Sequence, residues 1–95
     1  MHARVTHSKR EPAKADESIR FVKDTVVPNA KKQPGFKGGY WLMDRTTGKG
    51  IGITLWESEE TMRASDDASK QLADKATATG TQITGVERYE VVHQA

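Results

Sequence analysis

The chain has no cysteine. Disulfides are therefore excluded, and the absence suits a reducing compartment. A single domain of 95 residues buries only a modest core, so with no covalent staple oligomerisation is the remaining supplement. Apolar residues are scarce at 35%, and no apolar cluster is long enough to span a bilayer. The opening MHARVTHSKR lacks the apolar stretch of a secretory leader. These absences predict a cytoplasmic protein with no membrane partner. An excess of one charge is missing too: 15 basic residues face 13 acidic ones, for a net charge of +2. The basic pairs Lys9-Arg10 and Lys31-Lys32 are short and read as solvated charge, which argues against a nucleic-acid partner. There is no GxGxxG, no P-loop, no Ser-His-Asp arrangement and no internal repeat.

What remains is a regular alternation of short elements. In His2 to Ser8, Ala3, Val5 and His7 fall on one face and Arg4, Thr6 and Ser8 on the other, as in a strand. Pro12 opens a helix whose stripe is Ile19, Val22, Val26 and Ala30, and Pro28 is expected to kink or end it. Pro34-Gly35 marks a turn. Phe36 to Arg45 and Gly50 to Glu57 read as a strand pair around a glycine-bearing hairpin loop. In the second of these, Ile51, Ile53 and Leu55 alternate with Gly52, Thr54 and Trp56, the clearest period of two in the chain. Ser58 caps a second helix, which has Glu59 and Glu60 at its start and runs to about Thr79 before Gly80. Its inward stripe is small: Met62, Ser65, Ala68 or Ser69, Leu72 and Ala76. Such a stripe either packs closely on a sheet or leaves room for a pocket. Gln82 to His93 reads as the last strand.

The order βαββαβ predicts one α+β domain over residues 1–95, a ferredoxin-like four-stranded antiparallel sheet with two helices covering one face, which with a second copy forms a dimeric α+β barrel. The other face is left bare, and a second copy of the chain is the economical cover. The same order occurs in RNA-recognition motifs. Those stack bases on aromatics of the first and third strands, and here the first strand has none.

Several stretches together resemble the antibiotic-biosynthesis-monooxygenase-like family of dimeric α+β barrels. They are Gly35-Phe36-x-Gly38, the hairpin with Asp44, Thr47 and Gly48, the run Ile53-Thr54-Leu55-Trp56-Glu57-Ser58 ahead of Met62, and the closing Val86-Glu87-Arg88-Tyr89-Glu90-Val91. The resemblance implies a homodimer whose sheets face each other, with substrate held between the helices and the sheet of each subunit. Some members oxidise polycyclic aromatic phenols without metal or flavin, and others degrade heme. The heme-degrading branch uses an Asn near the end of the first strand and a Trp and a His on the second helix. Those positions fall near His7 and Ser65, and no His or Trp occurs between Ser58 and Gly80.

The resemblance therefore directs attention to cofactor-independent oxygenation, in which an ionised substrate itself reduces dioxygen. The candidate catalytic groups are His7 as base and Arg88 as anion stabiliser. Tyr40, Trp41 and Ser65 are candidates for holding a small aromatic ligand, although Tyr40 and Trp41 are neighbours on a strand and point opposite ways. If Ile51, Ile53 and Leu55 face the helices, Trp56 faces the barrel side, which with Tyr89 makes it a candidate dimer-interface residue. No cofactor and no metal site are expected, since His2 and His93 at the two ends do not make a closed site. A non-catalytic homodimer that binds a small ligand or scaffolds is the competing reading. The two differ in whether a helix–sheet pocket contains His7 or another base.

Overall fold

The computed structural model describes residues 1–95. Its sheet is built from β1 (His2–Lys9), β2 (Phe36–Met43), β3 (Lys49–Trp56) and β4 (Gln82–Glu90), all antiparallel, in the order β2-β3-β1-β4. This is the ferredoxin-like arrangement. The first helical stretch joins β1 to β2. It comprises a 3-10 turn at Pro12–Lys14, α1 (Ala15–Phe21), a π-helical turn at Val22–Val26, and α2 (Val27–Lys31). The second joins β3 to β4 as α3 (Glu59–Ala64) and α4 (Asp66–Ala78).

Two local expectations are sharpened. Of the two outcomes expected at Pro28, a kink or an end, the first helical stretch does not end there. The turn before it widens, so that the Val27 N–H reaches back five residues to the Val22 carbonyl, and the chain stays helical to Lys31. The second helix is not continuous. Ser65 interrupts it, because the Met62 carbonyl accepts hydrogen bonds from Ser65 Oγ and from Arg4 Nη2, both at 2.6 Å. The start of α3 follows the sequence closely. Ser58 Oγ accepts from the Thr61 N–H and Thr61 Oγ1 accepts from the Ser58 N–H, a reciprocal cap with Thr61 in the place usually held by an acid.

The largest correction concerns the sheet's two faces. Arg4 bonds to the second helical stretch, so the even-numbered residues of β1 face the helices. Register carries this across the sheet: Arg4 stands beside Thr54 and Arg88, Thr6 beside Gly52 and Val86, and His2 beside Trp56. Trp56 therefore faces the helices, and Ile51, Ile53 and Leu55 face the bare side. With a residual exposure of 2%, Trp56 has no ring surface to offer a dimer interface. Its Nε1 donates to Thr54 Oγ1 at 2.9 Å, and Phe36 meets it edge-on with centroids 5.5 Å apart. The bare face carries Tyr40, Leu42 and Tyr89, all more than half exposed.

Apart from such side chains as Trp41, Met43, Trp56 and Val86, the helix-facing side of the sheet is thus small and polar, and the small stripe of α4 lies opposite it. Small against small does not fill the space. Trp56 and Met62 are the only large side chains that are fully enclosed, and a cavity lies between the layers.

Candidate functional site

The cavity measures about 570 Å³, within the range of roughly 300–1,000 Å³ usual for small-molecule sites. Its floor is the sheet and its roof is formed by both helical stretches. Trp41 lies across Gly39 and Gly52. A methyl group on Gly39 would come within 3.0 Å of the Trp41 ring, and one on Gly52 within 3.2 Å. The two glycines let this indole lie down against the backbone as a flat apolar surface. Phe21, Met43 and Leu72 extend the apolar lining, and the nearly enclosed Trp56 backs it.

At one end of the cavity stands a buried arginine. Arg4 is only 4% exposed, and its Nη2 donates to the Met62 carbonyl, to Ser65 Oγ at 2.9 Å and to Asp66 Oδ1. Its guanidinium carbon sits 5.5 Å from the centroid of the Trp56 ring, a cation–π contact. Burial pulls the Arg4 pKa down, and the bond to Asp66 works against that shift. Arg88 reaches the same Asp66 oxygen at 3.2 Å. Burial alone would raise the Asp66 pKa, but the hydrogen bonds and charges of Arg4 and Arg88 outweigh it and hold the carboxyl below its ordinary range. One carboxylate thus serves two guanidinium groups, and Arg88 keeps 36% of its side chain exposed. The charged lining as a whole is Arg4, Arg10, Lys23, Lys70 and Arg88 against Asp66 alone, a field that favours an anionic ligand.

Of the residues singled out from sequence, Arg88, Trp41 and Ser65 line this cavity. Trp56 lines it too, although it was assigned to the opposite face. His7 and Tyr40 do not line it, because the period of two places both on the bare face. There His7 Nε2 lies 2.6 Å from Glu87, whose other oxygen accepts from the Tyr89 hydroxyl. These bonds, first from Tyr89 and then from His7, hold the Glu87 carboxyl low, and Glu87 in turn pushes the Tyr89 hydroxyl up. His7 therefore supplies no base to the cavity. No three His, Cys, Asp or Glu side chains converge as a metal-binding group anywhere in the chain.

Sequence reasoning missed Arg4, Asp66 and Arg10. An arginine among Thr and Ser on a strand reads as solvent-facing. The available signal was register: antiparallel pairing of the first and last strands sets Arg4 directly beside Arg88.

The sheet order, together with a cavity between helices and sheet, defines the class: the chain has the fold of the antibiotic-biosynthesis-monooxygenase-like proteins. Among solved structures, the monooxygenase from the gene ActVA-Orf6 of Streptomyces coelicolor, in complex with nanaomycin D, superposes with a TM-score of 0.75 at 16% identity, over 99% of this chain and 88% of that one. SnoaB, a cofactor-independent oxygenase from Streptomyces nogalater, gives 0.69 at 16% identity, over 98% and 94%. By sequence, the uncharacterized protein Rv2558 of Mycobacterium tuberculosis strain H37Rv is 31% identical over 91 residues, covering 96% of this chain. The chain spans only 39% of the length of that relative. No protein-family model matches the chain. No helix is long and apolar enough to cross a membrane.

Proposed function

We propose that this chain forms a cytoplasmic homodimer that binds a small, flat aromatic or polyketide-type phenol in the helix–sheet cavity and oxidises it with dioxygen, without a bound cofactor. The observation that carries this reading is the pair of arginines sharing Asp66, with Arg4 against the Trp56 ring, in the cavity that Trp41 also lines. A phenol or enol docked there is encouraged to ionise, because Arg88 has donors to spare and the cavity holds a cationic excess. The proton leaves to water at the open mouth, since Asp66 is held ionised by its partners and is a weak base. The ionised substrate then gives electrons to dioxygen. For a methylene between two aromatic rings, R₂CH₂ + O₂ becomes R₂C=O + H₂O, with one oxygen atom entering the product and the other leaving as water. The apolar walls keep solvent from the intermediate. The bare sheet face, with Ile53 at its centre, is where the second subunit docks.

Oxygen uptake with anthrone as probe tests this. Uptake should exceed the buffer background, and Arg88→Met should lower it about 100-fold, as loss of one anion-stabilising donor does elsewhere. A second reading, a non-catalytic ligand-binding homodimer, is favoured by the absence of histidine from the cavity lining. Anthrone that quenches tryptophan fluorescence but raises oxygen uptake no further than buffer does would select that second reading.

A further inference from the structure

The cavity has a second cationic end, one that the oxygenase reading leaves unused. Arg10 follows β1 and lies roughly 20 Å along the strand direction from Arg4, at about 3.3 Å per residue. It lines the same cavity and is 9% exposed. Its Nη1 donates to the Gly48 carbonyl at 3.3 Å and its Nη2 to Ser8 Oγ at 2.7 Å. Both acceptors are neutral, and Nε is buried with no partner. Arg10 takes part in none of the ion pairs of the structure, whereas Arg4 and Arg88 share Asp66. The surroundings accommodate the group closely: a methyl group on Gly50 would lie 2.5 Å from Nη1 and 2.9 Å from Ser8 Oγ. A buried guanidinium without a counter-charge is costly, and two hydrogen bonds to neutral acceptors offset only part of that cost. Burial also pulls its pKa down.

We propose that Arg10, with Ser8, forms an anion subsite at the far end of the cavity, and that it takes the carboxylate or sulfonate of an elongated aromatic ligand. This rests on the cavity being the ligand site. It narrows the ligand to an aromatic bearing two acidic functions, an ionisable phenol or enol toward Arg88 and a permanent anion toward Arg10.

Two fluorescent probes of nearly the same shape test it: 8-anilinonaphthalene-1-sulfonate, which is anionic, and N-phenyl-1-naphthylamine, which is neutral. The wild-type chain should bind the sulfonate more tightly. Arg10→Met should weaken the sulfonate about tenfold or more, the worth of a hydrogen bond to a charged group, and leave the neutral probe unchanged. Arg10→Lys, which keeps the charge, should retain most of the preference. If both probes bind the wild type equally and Arg10→Met changes neither, the subsite is refuted while the cavity reading stands. If Arg10→Met weakens both probes alike, Arg10 is a structural strap and the subsite is again refuted. If neither probe binds the wild type, the cavity reading falls and the subsite falls with it.

Discussion

Replacing Asp66 by Asn keeps the shape of the side chain and removes the one negative charge that serves both Arg4 and Arg88. Arg4 then remains buried, with only the Met62 carbonyl and the Ser65 hydroxyl as full-strength acceptors, facing a second guanidinium across the sheet. Removing one partner of a fully buried pair costs about 3–5 kcal/mol. Asp66 is a third exposed, so water recovers part of that, and a loss of about 2 kcal/mol is expected. A chain of this size has a total stability of about 5–14 kcal/mol, so the effect is easily read. It corresponds to a fall in Tm of about 8–16 °C. Urea unfolding at fixed protein concentration, followed by tryptophan fluorescence, measures it. The pH dependence has a definite sign. The folded Asp66 pKa lies below the ordinary aspartate value of 3.8, so the stabilisation is fully present above that value and is lost as pH falls through the folded pKa. The gap between wild type and variant should therefore be widest near neutrality and close in acid. A gap below about 0.5 kcal/mol at pH 7, within the range of an ordinary surface substitution, would refute the assignment of Asp66 as the counter-charge of Arg4.

Ile53 stands between Val5 and Tyr40 at the centre of the bare face, so Ile53→Glu should convert the proposed dimer to a monomer in sedimentation velocity, and an unchanged dimer mass would place the partner sheet elsewhere. Trp56→Ala should instead cost about 3–5 kcal/mol by leaving a void beside Phe36 and Arg4, and calorimetry showing a shift of only a degree or two would mean the ring is not enclosed. Ser58→Ala removes the reciprocal cap of α3 and should cost about 1 kcal/mol by denaturant titration.

Most of the architecture was legible in the sequence because each element carries its own signal. Ser58 announces a helix start, Gly80 a stop, and the alternation over Ile51, Ile53 and Leu55 a strand. The orientation of the sheet was not legible. Alternation divides a strand into two faces but does not say which one receives the helices. The usual assumption that the more apolar face does so fails here. The apolar set of β3 is on the bare side, while Gly52, Thr54, Thr6 and Ser8 face the Ala and Ser residues of α4 across the cavity. The small helix stripe was therefore the sign of an open space. The same parity decides the site. Arg88 pairs with Arg4, so His7, an odd number of residues along β1, falls on the other side. Arg10 escaped notice because a Lys-Arg pair reads as solvated charge, and only the approach of the chain to Gly48 and Gly50 encloses it.

The π-helical turn at Val22–Val26 divides the cavity roof into two segments with different angular phase. Ser18 and Ile19 line the cavity from the segment before it, and Val27 and Ala30 from the segment after it. In an unbroken α-helix each added or deleted residue swings everything beyond it by about 100° around the axis. Here the surplus residue is already stored in the wide turn. Deleting one position there would tighten it into an ordinary helix and leave the Val27–Ala30 segment facing the cavity as before, so this turn is the one place where the roof can lose a residue without being recast.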